Sequence, residues 1–378
     1  MSKLETQVKD LGLKSGFDLV GITSAEKFMR DEKASIERVR SGLMDGLPWY
    51  TEDRVKKANN PGILLENARS VISLAVSYNT REHKNKNKIT GKLARYSWGE
   101  DYHDVIKERL RCFVKELKLL AGEDVKTRIF VDDGPMNDRA TAERAGVGWF
   151  GKNTNILTQN YGSWVFLSQV ITDIELVPDL PLNKTCGSCV ICIEECPTDA
   201  IVAPYVIDNT KCISFLTIEL RDSIPRELRH LMGDWIFGCD ICQDVCPVNR
   251  KAVISLDPKF TRFHEFSALD LIPLLDLSKV EFNKIFKGSA IKRAKISGFQ
   301  RNVCVALGNI GDPVAVPALS KVIQADYPDL VRSHAAWALG RIGDKSAMEI
   351  LNSQANLDQS AEVLEEIREA IASQNPKQ

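Results

Sequence analysis

Eight of the ten cysteines fall between Cys186 and Cys246, and their spacing leaves few folds open. The first run is Cys186-x2-Cys189-x2-Cys192-x3-Cys196-Pro197. The second is Cys239-x2-Cys242-x3-Cys246-Pro247, with Cys212 between the two. Steps of this length let three thiolates wrap one iron–sulfur cube, and the fourth Cys, followed by Pro, reaches a second cube. The second run carries Ile236 where a leading Cys would stand, and Cys212 is the replacement ligand. The reading assigns Cys186, Cys189, Cys192 and Cys246 to one [4Fe–4S] cluster, and Cys196, Cys212, Cys239 and Cys242 to the other. A zinc site would instead use paired Cys-x2-Cys knuckles. Cluster thiols need a reducing compartment, which makes the cytoplasm the expected location.

The 378 residues suffice for two or three domains. A net charge of −1 means that any binding of nucleic acid must come from a local patch. The start, MSKLETQVKD, lacks the apolar stretch of a signal peptide. No apolar run reaches the roughly 18–20 residues of a membrane span, so no membrane association is expected. Cys112 and Cys304 sit in helical patterns and read as core residues.

Over residues 1–176, helical and strand patterns alternate, which indicates an α/β domain. Helices are expected at 5–17, 24–42, about 102–121 and 138–145. Strands are expected at 17–22, 71–78, 128–131 and 163–172. A basic loop spans Arg81 to Lys92. No Gly-x-Gly-x-x-Gly or P-loop opens a helix, so a dinucleotide or nucleoside triphosphate fold has no fingerprint here. The glycines from Gly146 to Gly151 read as a tight turn. Residues 177–255 form the two-cluster domain, and 256–378 are helical. There, Val305-Ala-Leu-Gly-Asn-Ile-Gly-Asp312 matches Trp337-Ala-Leu-Gly-Arg-Ile-Gly-Asp344, with a degenerate third copy at Val363–Ile371. Helix, Gly-Asp turn, helix, repeated, is the pattern of a small α-solenoid of HEAT type. Just before it, Asn283–Arg301 holds Lys284, Lys287, Lys292, Arg293, Lys295 and Arg301 and no acid. Such a block is either a solvated face or a phosphate-binding surface.

Two cubes alone would make an electron carrier, yet this chain adds a domain's worth of residues on each side, so a second redox centre is expected in the front domain. Several segments resemble the epoxyqueuosine reductases: Tyr96-Ser-Trp-Gly-Glu-Asp-Tyr-His103, Val131-Asp-Asp-Gly-Pro135, Gly146-Val-Gly-Trp-Phe-Gly-Lys-Asn-Thr-Asn-Ile156, Cys212-Ile-Ser-Phe-Leu-Thr-Ile-Glu-Leu220 and Gly233–Pro247. That family is related to the corrinoid reductive dehalogenases. The likeness implies three parts: an N-terminal α/β cobalamin-binding domain, a ferredoxin-like domain with two [4Fe–4S] clusters, and C-terminal HEAT-like repeats.

The resemblance further implies the anticodon stem-loop of a tRNA carrying epoxyqueuosine as substrate, and reduction of its epoxide to the alkene of queuosine. An external donor such as a flavodoxin or ferredoxin would supply the electrons. It places the general acid at Asp132, with Asp133 beside it as the competing position. It places cobalamin contacts at Lys57, Ser97, Asp132, Asn155, Ser168 and Ser214, and makes the basic block a tRNA-binding surface. His103 reads as a polar residue at a helix start rather than a cobalt ligand. Two other functions fit parts of the chain: a corrinoid dehalogenase acting on small organohalides, and a non-catalytic ferredoxin-like carrier with a helical docking module.

Overall fold

The structure, a computed structural model, describes residues 3–82, 89–324, 326–358 and 360–374. Residues 83–88 of the expected basic loop therefore lie outside the described residues. By packing, the chain forms two units, each drawn from several stretches of the sequence. Unit 1 comprises Met1–Arg81, Gly99–Thr210 and Ile241–Arg262; unit 2 comprises Glu82–Trp98, Lys211–Asp240 and Phe263–Gln378. Among the described residues, no helix is long and apolar enough to cross a membrane.

Unit 1 is built on a four-stranded sheet in the order Leu19–Ser24, Ser70–Ser77, Val165–Thr172, Thr127–Phe130. All three ladders are antiparallel. Alternating patterns had left strand direction open, and the antiparallel result follows from connections that return each strand beside its neighbour. The central strand Ser70–Ser77 is buried on both faces, as its run of Val, Ile, Leu and Ala requires. Helix Tyr102–Ala121 begins where Asp101 accepts a hydrogen bond from the His103 N–H and ends at Gly122. Its buried stripe is Val105, Ile106, Leu110, Phe113 and Leu117, the spacing of one helical face. Cys112 lies on the opposite, exposed side, so the expectation of a core residue is corrected; Cys304 is buried.

One face of the sheet is not uniformly apolar. Val71 stands opposite Ile171, Ser73 opposite Gln169, and Ala75 opposite Leu167, and alternation puts all six on one side. Val71 and Ile171 join an apolar cluster with Phe130, Met136 and Ala140. Ala75 joins another with Ala142, Ala145, Val147 and Ile156. Ser73 and Gln169 form a polar layer between the two.

Unit 2 contains a three-stranded sheet in which Thr90–Leu93 pairs with Trp235–Phe237 and with Ala268–Asp270. The repeats supply helices Lys295–Ile310, Val316–Gln324, Asp329–Ile342, Lys345–Gln354 and Ala361–Ala372. The Gly-Asp pairs that mark the repeat have distinct jobs. Gly311 and Gly343 close their helices in the left-handed region, at φ 70° and 64°. Asp312 and Asp344 then cap the next turn, accepting from Val314 N–H at 3.0 Å and Ala347 N–H at 2.7 Å.

Gly308 and Gly340, equivalent positions, allow neighbouring helices to touch. A Cβ on Gly340 would lie 2.6 Å from the Ala370 Cβ, and one on Gly308 would lie 2.9 Å from the Ala338 Cα. In an open helix, Gly→Ala stabilises by roughly 0.5–1 kcal/mol. Here Gly340→Ala is expected to destabilise instead, by about 1–3 kcal/mol from overpacking. Denaturant unfolding of the two proteins, with m-values compared, checks the sign.

Candidate functional site

The strand Thr127–Phe130 runs into Val131-Asp132-Asp133-Gly134-Pro135, and the two carboxylates of this loop are held differently. The Tyr102 hydroxyl, at the first turn of helix Tyr102–Ala121, donates to Asp132 Oδ2 at 2.5 Å. The Tyr102 ring is fixed by stacking on Phe166, centroids 4.4 Å apart, and on His103 at 4.0 Å. One turn further along the same helix, Lys107 pairs with Asp133, whose Oδ1 also accepts from Val131 N–H at 3.3 Å. Burial pushes the Asp133 carboxyl up, but the Lys107 hydrogen bond and charge outweigh it and hold the group below its usual value. Asp133 is thus an ionised structural partner. Asp132 is exposed and adopts φ 53°, a left-handed backbone that is costly for a non-glycine residue. Such outliers persist where the surroundings enforce them, and they cluster at functional sites. Arg54 adds a third tether by donating to the Gly134 carbonyl at 3.1 Å.

A third carboxyl, absent from the sequence reading, belongs to this neighbourhood. Asp138 opens helix Asp138–Arg144, and its Oδ1 is buried without a hydrogen-bond partner. Burial, followed by the negative charge of Asp132, pushes its carboxyl well above the usual range. Gln169 of the polar layer donates to the Asp138 backbone carbonyl at 3.3 Å. Tyr102 lay in a quoted segment, and Lys107 and Asp138 in expected helices, but nothing in sequence spacing says that they converge on one loop.

The other nominated positions divide. Lys57 is exposed in helix Glu52–Ala58, and Asn155 and Ser214 are half-buried. Ser97 and Ser168 are almost fully buried, and their hydroxyls donate to the Ala94 carbonyl at 2.8 Å and the Leu74 carbonyl at 3.3 Å. Each hydroxyl hydrogen is thus committed to a carbonyl, which leaves the oxygen only as an acceptor. His103 Nδ1 lies 2.7 Å from Asp101 Oδ1, which ties the ring to the helix start.

The cysteines of the first run answer to a metal cluster by their own chemistry. All eight cysteines of the segment are half-buried and none is in a disulfide. Cys192 is pushed up to about 11, first by burial and then by Cys186, Cys246 and Cys189. Burial pushes Cys246 up as well, helped by Cys186 and Cys189 and opposed by the N–H groups of Val248 and Asn249. Half-buried thiols brought this close are a donor set suited to cationic iron, which offsets the charge of the thiolates it binds. The glycine-rich turn supports this segment within unit 1. Lys152 Nζ donates to the Gly187 carbonyl at 2.8 Å, and Asn153 Nδ2 to the Cys242 carbonyl at 3.2 Å. The stretch read as a tight turn is therefore also a buttress for the cluster loops.

In the basic block, Lys284, Lys287, Lys292, Arg293 and Lys295 are exposed, while Phe282, Phe286, Ile291 and Phe299 face inward. Arg293 bonds Glu219 at 2.5 Å. Arg301 is corrected: it is completely buried and belongs to no surface patch. Its guanidinium donates to the carbonyls of Leu216, Leu220 and Asp222 and to Asn302 Oδ1, at 2.6–3.1 Å. Burial lowers it to about 9, with Arg221 and Arg229 contributing, so it stays charged at neutral pH.

Comparison with known proteins fits this arrangement. Residues 185–249 match the 4Fe–4S double cluster binding domain, residues 59–133 the epoxyqueuosine reductase QueG family, and residues 295–372 the HEAT repeats. The epoxyqueuosine reductase of Cyclobacterium marinum is 42% identical over 297 residues, which is 78% of this chain and 94% of that one. That of Bacillus subtilis is 35% identical over 373 residues, covering 98% and 95%. A crystal structure of epoxyqueuosine reductase with a tRNA-Tyr epoxyqueuosine-modified stem loop superposes with a TM-score of 0.93 at 34% identity, over 99% of both chains. Residues 185–249 are thus a double [4Fe–4S] cluster domain, the C-terminal helices are HEAT repeats, and the chain belongs to the epoxyqueuosine reductase family.

Proposed function

We propose that this chain reduces the epoxide of epoxyqueuosine in tRNA to the alkene of queuosine, using cobalamin, two [4Fe–4S] clusters and a proton from Asp132. Two electrons and two protons enter, and one water leaves. The observation that carries the reading is the division between the loop carboxylates: Lys107 commits Asp133 to an ion pair, whereas Asp132 meets a phenol hydroxyl. An opened epoxide leaves an alkoxide, a poor leaving group, so a positioned acid must protonate the oxygen. The Tyr102 hydroxyl fixes the orientation of Asp132, and the tethers of Lys107 and Arg54 hold the loop that carries it.

Cobalamin supplies the redox metal for C–O cleavage when bound, and Lys57, Asn155 and Ser214 are the residues proposed to hold it. Cys186, Cys189, Cys192 and Cys246 ligate one cluster, and Cys196, Cys212, Cys239 and Cys242 the other. Electrons arrive from a flavodoxin- or ferredoxin-type donor in the cytoplasm, where tRNA is found. The exposed lysines 284, 287, 292 and 295 contact phosphates of the anticodon stem-loop. The dehalogenase and carrier alternatives are not retained, since relatives matching nearly the whole chain are epoxyqueuosine reductases. Anaerobic incubation with epoxyqueuosine tRNA, cobalamin and a reductant, followed by nucleoside mass spectrometry, tests the activity. Absence of queuosine from protein loaded with both clusters and cobalamin refutes it.

Asp132→Asn keeps the shape of the side chain and removes its proton. Turnover is expected to fall by about 10²–10⁴-fold, the usual worth of a general acid, with tRNA affinity unchanged. Asp133→Asn breaks the Lys107 pair and is expected to cost far less. A dead Asp133→Asn beside a near-normal Asp132→Asn reverses the assignment.

Exchanging Lys287, Lys292 and Lys295 for Glu is expected to weaken all tRNAs alike and to flatten the salt dependence by roughly 0.7–0.9 per lost phosphate contact. Arg293 is left in place because its Glu219 pair would confound the result. Unchanged affinity across a salt titration, in folded protein, would mean that the block is only a solvated face.

A further inference from the structure

We propose that the first repeat helix, Lys295–Ile310, is the clamp that positions two ligands of the second cluster, Cys212 and Cys239, acting through Asn302 and Thr217. The proposal rests on the ligand roles given above to those two cysteines.

Each cysteine is at the end of a short element of unit 2. Cys212 precedes helix Ile213–Ile218, and its carbonyl accepts the Leu216 N–H at 2.9 Å. Cys239 follows strand Trp235–Phe237 by way of Gly238. Neither element is long enough to hold its own shape, since a helix of this length is marginal without tertiary support. One side chain joins them. Asn302 Nδ2 donates to the Thr217 carbonyl at 2.8 Å and to the Ile236 carbonyl at 2.9 Å. Thr217 makes a second join: its Oγ1 accepts the Gly238 N–H at 2.9 Å and donates to the Ile213 carbonyl at 2.7 Å. The residue before Cys239 is thus hydrogen-bonded to the helix that Cys212 opens.

The network is closed. Asn302 Oδ1 accepts from Arg301 Nε at 3.1 Å and Nη2 at 2.9 Å, so both ends of the amide are fully used. Arg301 spends its other donors on the Leu216, Leu220 and Asp222 carbonyls, which lie in or just beyond the same short helix. All five guanidinium N–H groups are therefore placed, and none is on a carboxylate. A cation set among the carbonyls at a helix C-terminus is favourably placed by charge as well as by hydrogen bonding. On its far side the Cys239 turn is packed with equal closeness. Gly238 sits at φ 67°, and a Cβ there would lie 2.5 Å from the Ala94 Cβ. The Arg95 N–H reaches Asp240 Oδ2 at 2.6 Å. Both neighbours of Cys239 in sequence are thereby fixed. Hydrogen bonds to the protein around a cluster set its potential as well as its retention, so a clamp at this position tunes as well as holds.

The test uses the full chain, reconstituted anaerobically with iron and sulfide. Asn302→Asp keeps the acceptor for Arg301 and removes both donated bonds. It is expected to lower bound iron from about eight to about four per chain, with one cluster's spectrum intact. Thr217→Val removes the acceptor for Gly238 and keeps the volume. It is expected to displace one of the two midpoint potentials and leave the other in place, and Thr217→Ser is expected to restore it. A folded Asn302→Asp protein with about eight irons and both midpoints unmoved overturns the proposal. If Asn302→Asp does not fold, Thr217→Val decides it: unmoved midpoints overturn the clamp, and one displaced midpoint restored by Ser upholds it. Cys212→Ala separates the clamp from the ligand assignment. Retention of about eight irons by that variant removes the assignment, and the clamp with it. Loss of one cluster there, with no change in the clamp variants, removes the clamp alone.

Discussion

Burial and crowding of thiols is the constraint on which the middle of this chain depends. Burial and the neighbouring sulfurs push Cys192 up to about 11, and burial with two of the same neighbours raises Cys246. A protein gains nothing by crowding such groups unless a cation offsets the charge, and iron does so while forming covalent bonds. The crowding in turn dictates the surroundings. Loops that hold thiols together against repulsion need rigid support, and they receive it from side chains bonded to their backbone carbonyls. Lys152 and Asn153 serve Gly187 and Cys242 in unit 1, and Asn302 serves Thr217 and Ile236 in unit 2. In each case a donor from a distant part of the sequence takes a carbonyl that the short local elements leave unsatisfied.

A second electrostatic division operates at the carboxyls of unit 1. Asp133, Asp132 and Asp138 share one residue type within six positions, and their environments give them different tasks. The Lys107 ammonium holds the Asp133 carboxyl below its usual value, and burial pushes that of Asp138 up. Asp132 touches a phenol and is exposed. Environments that treat neighbouring acids differently are how one loop holds both a fixed anion and a carboxyl open to solvent. The polar layer of Ser73 and Gln169 belongs to the same logic, since Gln169 meets the backbone carbonyl of Asp138 at the start of a helix that otherwise packs on alanine and valine.

Some of this was legible in the sequence because it rests on spacing. The cysteine steps, the helix from Tyr102 to Ala121 and the 32-residue return of Gly-Asp each state a local geometry, and each appears where the pattern put it. What spacing could not express were partners separated by long stretches of chain. Lys107 and Asp133 are 26 residues apart, and Asn302 and Ile236 are 66 apart. The serines show a related ambiguity. A hydroxyl in a matched segment can serve a ligand or a carbonyl, and Ser97 and Ser168 serve carbonyls. The two units draw on separate stretches of sequence because segments such as 89–98 and 211–240 pack with one another and with residues after Phe263.

Arg301 shows most clearly why a charge pattern read along the chain can mislead. Counted as a letter, it closes a run of six cations without an acid. Counted by helical phase, it enters a helix buried on every side from Gly298 to Gly308, where Val303-Cys-Val-Ala-Leu307 has no polar face. A helix of that kind has no solvent side to offer a guanidinium. The cation must then be matched internally, and carbonyls at the end of a neighbouring helix match it without the desolvation of a second ion. Lys292 and Lys295, a few residues earlier, lie before or at the start of that helix and remain in water. The same block of sequence thus supplies both an outward field and an inward brace, and the point at which one becomes the other is set by where the apolar positions stop alternating with polar ones.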